Sequence, residues 1–395
     1  MTEFHDGFSR SGLGAALASL KARRPAGSTG ALASAGQLRH STFAPNPGAL
    51  EMRLHVPPGL SSGAALVVVL HGCTQTADAF ARDSGWIALA DRLGFAVLAP
   101  EQSPGNNPNR CFNWFQPADM RRGHGEPASI AAMIAEAQKA HGLDAGRTFI
   151  TGLSAGGAMT AVMLAAYPEL FAGGAIVAGA PYGTARGVPQ ALQTMHGRGL
   201  TGSADQLVAL LAEAGGSSGK LPPLSIWHGD ADHVVNPANA GEIARQWAAG
   251  QGLDAEPDLV ADEGGYVRSV WRDPSGAVRI ELNRVPGLGH GVPLETRGEG
   301  AIGKTAPYML QAGVSSTLEI ARFWGLTDGE RRSPSVERIG PKAAAPTEAP
   351  SAAHTETAFG GLGEQVMSAV SGVPAGVQAV IAGALARSGL LNRPR

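Results

Sequence analysis

Ser154 is the residue whose surroundings best suit chemistry. It lies in the pentapeptide 152–156, GLSAG, after a β-prone run at 147–151 and before an Ala- and Met-rich segment that has no helix breaker until Pro168. A strand, a tight turn with glycine on both sides and a helix together project a serine hydroxyl from the edge of a sheet. The flanking glycines remove the Cβ clashes that such a strained turn would otherwise create. We therefore predict that Ser154 is a nucleophile.

The letters of this pentapeptide are weak support by themselves, because glycine is abundant. The chain has 55 Gly among 395 residues, and the pattern G-x-S-x-G also occurs at 59–63 and 215–219. The first of these copies precedes a predicted strand, and the second lies in a Gly/Ser loop with no helix after it. The alternative for Ser154 is a bystander serine in a Gly-rich turn, and the other candidate catalytic groups weigh against that alternative.

The candidate acid is Asp232. A serine hydroxyl becomes a good nucleophile only when a base accepts its proton and an acid holds that base in one tautomer. In α/β hydrolases these residues follow in the order serine, acid, histidine. Asp232 comes just after the predicted strand 224–227. Asp230 competes for the role, but it lies closer to the strand end and has a shorter reach toward the histidine loop.

The candidate base is His290, which follows the acid in the chain. It lies between Gly289 and Gly291, which would let a loop bring the ring over the serine. His228 and His233 are the alternatives, although both flank the candidate acid itself. The chain has 11 histidines, and for most of them a surface or core position is the ordinary expectation.

The candidate oxyanion hole consists of two backbone N–H groups that face the charge developing on the substrate oxygen. The N–H of Ala155 directly follows the nucleophile, at the start of the predicted helix. The second is expected from the loop after the apolar run 65–70, where Gly72 allows close approach. The N–H of Cys73 is the first choice there and that of Thr74 the second, and an ordinary strand-ending turn is the alternative for this loop.

These groups need a sheet that brings the ends of strands together. Continuous apolar runs at 65–70 and 95–99 indicate strands that are buried on both faces. The segments 84–93 and 127–141 have the periodicity of amphipathic helices. Their alternation predicts an α/β protein with a mostly parallel central sheet and helices on both faces. The serine turn resembles the nucleophile turn of an α/β-hydrolase fold.

Three parts are expected along the chain. An N-terminal extension at 1–45 has apolar residues at the spacing of a short amphipathic helix, and the catalytic domain covers 46–330. Within that domain, the segment 184–221 is the natural place for a cap. Residues 331–395 form a Pro/Ala-rich linker and an amphipathic tail, which would dock on the core, on a partner or on an apolar particle.

Composition excludes several other classes of protein. The 31 Lys and Arg against 33 Asp and Glu give a net charge of −2, so bulk charge does not favour a nucleic-acid partner. No apolar run of about 18 residues predicts a transmembrane helix. Two cysteines are too few for a zinc site, and no cofactor or metal is expected. The N-terminus has no basic stretch followed by an apolar one, so no secretory signal is visible and a cytoplasmic location is the default expectation.

Six short motifs carry a family resemblance. They are LHGCTQ (70–75), CFNWF (111–115), GLSAGGAM (152–159), AGAPYG (178–183), HGDADHVV (228–235) and GLGHGVPL (287–294). With these motifs the chain resembles the polyhydroxybutyrate (PHB) depolymerase family of esterases, in the α/β-hydrolase superfamily, which is related to feruloyl and acetylxylan esterases. Carried over by motif, the resemblance assigns the triad to Ser154, Asp232 and His290.

The resemblance implies a serine carboxylesterase that hydrolyses short-chain hydroxyalkanoate esters through an acyl-enzyme. Soluble oligoesters or small esters are the expected substrates, since no recognisable domain for insoluble polymer is attached. Alternatives are a feruloyl or acetyl esterase of polysaccharides, a peptidase, and a non-catalytic protein that contacts polyester granules through its tails. The family also implies an extracellular location, which differs from the default expectation.

The same resemblance suggests that Cys73 and Cys111 pair in a disulfide. The bond would tie the oxyanion loop to the aromatic loop around 111–115. Two reduced thiols are the alternative.

The candidate substrate-binding residues are Trp114, Phe112 and Tyr182. Aromatic side chains in loops beside the site suit an apolar ester. The alternative for Phe112 is that it packs the loop against the protein together with Phe115.

Overall fold

The computed structural model describes residues 37–199, 202–216, 221–298 and 301–327. These residues cover nearly all of the predicted catalytic domain. The amphipathic helix predicted in the N-terminal extension and the predicted C-terminal linker and tail lie outside them.

A ten-stranded sheet forms the centre of the described part of the chain. Its strands are β1 (Arg39–Ser41), β2 (Glu51–His55), β3 (Leu66–Leu70), β4 (Ala96–Glu101), β5 (Thr148–Leu153), β6 (Gly173–Val177), β7 (Leu224–Gly229), β8 (Leu259–Asp262), β9 (Val267–Arg272) and β10 (Val278–Val285). Their spatial order is β1-β2-β4-β3-β5-β6-β7-β10-β9-β8. The six strands from β4 to β10 in this order are parallel, and antiparallel pairs extend both edges. The predicted mostly parallel sheet is confirmed, and β1 lies within the segment predicted as an extension.

Helices cover both faces of this sheet. They are α1 (Ala77–Asp83), α2 (Trp86–Leu93), α3 (Gly125–His141), α4 (Ala155–Ala166), α5 (Val188–Met195), α6 (Ala204–Ala212), α7 (Ala238–Gln251) and α8 (Ser316–Phe323). None of the helices in the described residues is long and apolar enough to cross a membrane.

Strand β3 shows why the sheet is covered twice. All five of its residues are buried, and successive side chains of a strand point to opposite faces. Leu66, Val68 and Leu70 join the core that contains residues of α3, α4 and α7. Val67 and Val69 join the core that contains residues of α1, α2 and α8. The continuous apolar run in the sequence therefore reflects burial on both faces.

The helix predicted at 84–93 is in fact the second of two short helices. Gly85 separates α1 from α2 with a φ of +90°, and a Cβ there would lie 2.8 Å from the backbone nitrogen of Gly303. Thr76 caps α1, since its hydroxyl accepts the N–H of Ala79 at 3.2 Å. The apolar face of α2 was visible in the sequence, whereas the short helix before it was missed.

Two smaller features lie beyond the carboxyl ends of the parallel strands. Strands β11 (Val292–Leu294) and β12 (Met309–Gln311) pair in parallel just after His290. Helices α5 and α6 fall in the segment predicted as a cap.

Candidate active site

Ser154 occupies the turn between β5 and α4. Its backbone has φ 57° and ψ −119°, a strained conformation for a residue with a side chain. A Cβ at Gly152 would lie 2.4 Å from the carbonyl carbon of Gly156, and a Cβ at Gly156 would lie 2.2 Å from the carbonyl oxygen of Leu70. Both glycines are therefore required by close backbone contacts. The Ser154 N–H donates to the carbonyl of Val177 at 2.9 Å, which ties the turn to β6.

Asp232 and His290 are in contact, although they are far apart in the chain. Asp232 is buried in the loop after β7, and its Oδ2 lies 2.7 Å from Nδ1 of His290. Its Oδ1 accepts the N–H groups of Val234 at 2.8 Å and Val235 at 2.9 Å. Burial raises the pKa of Asp232, but the hydrogen bonds from His228, His290 and Val235 outweigh burial and hold this pKa well below its usual range. The ionised carboxylate accepts the Nδ1 proton of His290, which leaves Nε2 as the basic nitrogen.

Asp230, the competing acid, has a different position. It is exposed, and its Oδ1 accepts the N–H of Gly287 at 2.5 Å while its own N–H donates to the carbonyl of Val285 at 3.1 Å. These bonds join the loop after β7 to the start of the loop that carries the histidine. Of the two aspartates, the structure places Asp232 against His290.

The loop around His290 is shaped by Tyr308. The two rings meet edge to face with their centroids 5.9 Å apart. A Cβ at Gly291 would lie 2.6 Å from the carbonyl oxygen of Tyr308, whereas a Cβ at Gly289 would meet no atom within 4 Å among the described residues. Only the second of the two flanking glycines is thus required by close packing. His233, an alternative base, is exposed.

A cavity of about 580 Å³ lies against the serine turn. Its mainly apolar wall comes from six places: the loops after β3, β6 and β7, the loop 102–116, the start of α4, and helix α5. Ser154 and Ala155 line it at the turn, and Trp114 and Phe115 line it from the loop 102–116. Such a cavity suits an apolar substrate of small size.

The candidate oxyanion donors also lie at this cavity. Strand β3 pairs with β5, so the loop after β3 adjoins the serine turn, and Cys73 lines the cavity together with Ala155. The N–H of Thr74, the second choice, donates to the carbonyl of Asn109 at 2.7 Å and is therefore occupied. The N–H groups of Cys73 and Ala155 have no acceptor among the described residues.

A disulfide joins Cys73 and Cys111 in the structure. It links the loop after β3 to the loop 102–116, and the Thr74 to Asn109 hydrogen bond makes a second link between the same two loops. The loop with the candidate oxyanion donor and the aromatic wall of the cavity are thus held together.

Two of the three predicted substrate-binding residues do not reach the cavity, and the prediction is corrected for them. Phe112 is fully buried, with its ring 5.0 Å from that of His71. Tyr182 is buried as well, and its hydroxyl donates to the carbonyl of Met120 at 2.9 Å. Trp114 does line the cavity, and so does Phe115 from the same loop.

Helix α5 is a part of the site that the sequence indicated only as a cap region. Val188 and Leu192 line the cavity from this helix, yet each is about half exposed, at 53% and 51%. Apolar side chains that are exposed beside a cavity are available to a ligand. The spacing of Val188 and Leu192 places them on one side of a helix. The sequence does not show which part of the protein that side of the helix faces.

Glu126 is a buried carboxylate that sequence reasoning missed. Its Oε1 accepts the side-chain amides of Gln102 at 2.6 Å, Asn113 at 2.7 Å and Asn106 at 3.2 Å. Its Oε2 accepts the backbone N–H of Asn113 at 2.8 Å. The three amide residues all belong to the loop 102–116, so Glu126 holds this loop in place. The available signal was a glutamate directly before the predicted helix 127–141, whose first half is mainly apolar.

The surroundings of Glu126 contain opposing influences on its ionisation. Burial and the nearby Asp119 raise the pKa of Glu126 to about 8, and the hydrogen bonds from Asn113 and Gln102 only partly offset them. The backbone N–H of Gln102 in turn donates to Nε2 of His71 at 3.1 Å. Burial lowers the pKa of His71 to about 4, so this ring is neutral and serves as a structural acceptor next to the oxyanion loop.

In the described part of the chain, no group of three or more His, Cys, Asp and Glu side chains could hold a metal ion.

Comparison with known proteins shows which family the chain belongs to. The family described as Esterase PHB depolymerase matches residues 50–263. Poly(3-hydroxyalkanoate) depolymerase C of Paucimonas lemoignei is 41% identical over 292 residues, which cover 72% of this chain and 69% of the relative. Acetylxylan esterase A of Aspergillus oryzae is 34% identical over 248 residues, which cover 60% of this chain and 80% of the relative. The solved acetyl xylan esterase from Aspergillus awamori superposes with a TM-score of 0.61 at 26% identity, over 73% of this chain and 99% of that one.

The fold and these similarities define a carboxylic ester hydrolase of the α/β-hydrolase class. The chain belongs to the PHB depolymerase family of esterases, and the resemblance seen in its six motifs is confirmed.

Proposed function

We propose that this chain is a serine esterase that hydrolyses short-chain hydroxyalkanoate esters, or similar small esters, through a triad of Ser154, His290 and Asp232. The observation that carries the proposal is the 2.7 Å contact between His290 Nδ1 and the buried Asp232 carboxylate. An acid that holds the imidazole in its Nδ1–H tautomer is what a serine nucleophile needs from its base.

The steps follow from these positions. Nε2 of His290 takes the hydroxyl proton as Ser154 Oγ attacks the ester carbonyl, and the N–H groups of Cys73 and Ala155 stabilise the oxyanion. The same histidine then gives the proton to the leaving alcohol, which leaves an acyl-enzyme. Water activated by His290 releases the acid and restores the serine. Asp232 stays ionised throughout and stabilises the imidazolium.

The link between serine and histidine is part of the proposal. Among the hydrogen bonds of the described residues, none joins the Ser154 hydroxyl to the His290 ring. Catalytic hydrogen bonds in unliganded sites are often long and tighten when substrate binds. We expect the two groups to lie within hydrogen-bond reach in the substrate complex.

The substrate class rests on the cavity and on the relatives. A mainly apolar cavity of about 580 Å³ accommodates a small acyl group better than a charged one. A relative named poly(3-hydroxyalkanoate) depolymerase C favours hydroxyalkanoate esters. An acetyl or feruloyl ester of a polysaccharide is the second candidate, because the acetyl xylan esterase structure matches over 99% of its length.

The decisive experiment compares Ser154→Ala with the wild type on p-nitrophenyl butyrate. We expect kcat/KM to fall by at least about a thousandfold, since loss of a nucleophile removes the acyl-enzyme route. Ser61→Ala is the matched control, because Ser61 is the central serine of another G-x-S-x-G copy and is exposed. Equal activity of Ser154→Ala and wild type would reject the triad.

A substrate panel then separates the candidate classes. Hydroxybutyrate oligomers, acetylated xylan, feruloyl esters and matched amides are compared by kcat/KM in the wild type. The proposal expects the hydroxybutyrate oligomers to be preferred. A preference for acetylated xylan would favour the second candidate, and amide hydrolysis at a matching rate would favour a peptidase.

A further inference from the structure

His228 lies near the end of β7. Its ring contacts the same carboxylate oxygen of Asp232 that contacts His290. Its side chain is 1% exposed, and its Nε2 lies 3.2 Å from Oδ2 of Asp232. The same Nε2 lies 2.9 Å from the carbonyl oxygen of Val235. Since it does not line the cavity, His228 is not placed to act on substrate.

The tautomer of His228 follows from these two contacts. A carboxylate and a carbonyl can only accept hydrogen bonds, so Nε2 must carry the proton and share it between them. The other nitrogen, Nδ1, is buried and has no hydrogen-bond partner among the described residues. Leaving a buried polar atom unpaired is costly, so the Nε2–H contacts must outweigh that cost.

The carboxylate of Asp232 thereby receives four N–H donors. His290 donates to Oδ2, His228 Nε2 lies 3.2 Å from the same oxygen, and Val234 and Val235 donate to Oδ1. The only titratable side chains in contact with this carboxylate among the described residues are the two histidines. With all of its acceptor positions used, the carboxylate cannot rotate away from His290.

We propose that His228 is a positioning residue for the esterase reaction, which holds Asp232 in the orientation that serves His290. The inference rests on the proposed function of Ser154, Asp232 and His290. Through Val235 the same ring also anchors the cavity wall, because Val235 lines the cavity while its N–H and carbonyl bind Asp232 and His228. The acid and the wall are joined in one closed set of hydrogen bonds.

Two substitutions of His228 separate the effect of its Nε2–H donor from the effect of the imidazole ring itself. In His228→Gln the side-chain amide can place an N–H near the position of Nε2, whereas in His228→Asn the amide is too short to reach Asp232. We expect His228→Asn to lower kcat on p-nitrophenyl butyrate about tenfold with little change in KM, and His228→Gln to recover most of the loss. With one donor fewer on Asp232, the imidazolium is favoured, so the acid limb of the kcat/KM profile moves to higher pH in His228→Asn.

The matched control is His233→Asn, because His233 is exposed and near the same aspartate in sequence. It should keep the kcat and pH profile of the wild type. Equal activity of His228→Asn and wild type, or an unshifted acid limb with kcat lost equally in both His228 variants, would overturn the inference. Neither result would touch the proposed function, which the Ser154→Ala variant tests separately.

A measurement on the wild type covers the case in which His228→Asn does not fold. A long-range ¹H–¹⁵N spectrum of the protein labelled with ¹⁵N-histidine reports the tautomer of each ring. His228 should show a protonated Nε2, with the assignment made by its loss in His228→Gln. A protonated Nδ1 with a bare Nε2 would overturn the inference.

Discussion

Burial and hydrogen-bond donors, not position along the chain, distinguish the acid from its neighbour at the scale of single residues. Asp230 and Asp232 follow the same strand, yet Asp230 is exposed and binds Gly287, while Asp232 is buried against His290. Hydrogen bonds hold the pKa of Asp232 low in spite of burial, so its carboxylate is ionised at neutral pH.

Substitution of these two aspartates tests the difference. Asp232→Asn should lower kcat about 10³- to 10⁴-fold, because an amide no longer fixes the Nδ1–H tautomer of His290. Asp230→Asn is the matched control and should lower kcat at most a few-fold, through the loop bond to Gly287. The rates are measured with p-nitrophenyl butyrate at saturating substrate. Comparable losses in the two variants would contradict the assignment of Asp232.

At the scale of secondary-structure elements, the loop 102–116 is held by bonds to a neighbouring helix and to a neighbouring loop. Glu126 on α3 binds three of its residues, the disulfide joins it to the loop after β3, and Asn109 accepts the N–H of Thr74. A long loop without its own secondary structure loses much conformational entropy on ordering, so several ties are needed to hold it.

Glu126 should give the stability of the protein a distinct pH dependence. Its folded pKa, about 8, is raised, so the folded state binds a proton that the unfolded state releases above about pH 4.5. The contribution of Glu126 to the free energy of unfolding is therefore complete below that pH and is lost as the pH rises toward 8. Glu126→Gln should lack this loss and fall less in stability than wild type between pH 5 and pH 9.

Urea unfolding at the two pH values measures the effect. Glu136→Gln is the matched control, because Glu136 lies on the same helix but outside the network around Glu126. It should follow the wild-type decrease in stability. If Glu126→Gln also follows the wild type, the carboxylate is ionised at both pH values and the raised pKa is refuted.

The disulfide should contribute to stability and not to the chemistry itself. It closes a loop with a sequence separation of 38, for which chain entropy predicts a stabilisation of about 4 kcal/mol. Cys111→Ala should lower the free energy of unfolding by roughly this amount while the residue 73 N–H remains. Reduction of the wild type should reproduce the loss, and reduction of the variant should add nothing. A variant as stable as the oxidised wild type would show that the bond does not stabilise the fold.

At the scale of the whole molecule, helix α5 forms one wall of the cavity, opposite residues that come from several distant parts of the chain. Leu192 lines the cavity and is about half exposed, so it can cover an acyl chain without supporting the core. Helix α5 therefore affects how much apolar surface of a bound ester is removed from water.

Leu192→Asn should therefore reduce the preference for longer acyl chains. We expect kcat/KM for p-nitrophenyl butyrate to fall about three- to tenfold and that for the acetate to change less, because a shorter chain has less apolar area to bury. Val208→Asn is the matched control, since Val208 is an exposed apolar residue on α6 that does not line the cavity. Equal reductions for acetate and butyrate would show that Leu192 does not contact the acyl chain.

The sequence by itself was sufficient for the features that depend on short-range patterns. The strand, turn and helix around Ser154 follow from β-propensity, two glycines and an uninterrupted helical segment, all within about twenty residues. The burial of β3 follows from its continuous apolar run. The order of Ser154, Asp232 and His290 was also readable, because chain order does not depend on loop conformation.

Only the tertiary structure decided which side chains meet. It placed Asp232 and not Asp230 against His290, turned Phe115 toward the cavity and Phe112 away from it, and brought Glu126 under the loop 102–116. Each of these outcomes depends on the direction of a side chain after a strand or within an irregular loop. Such directions are set by contacts between segments far apart in the chain, which no local pattern encodes.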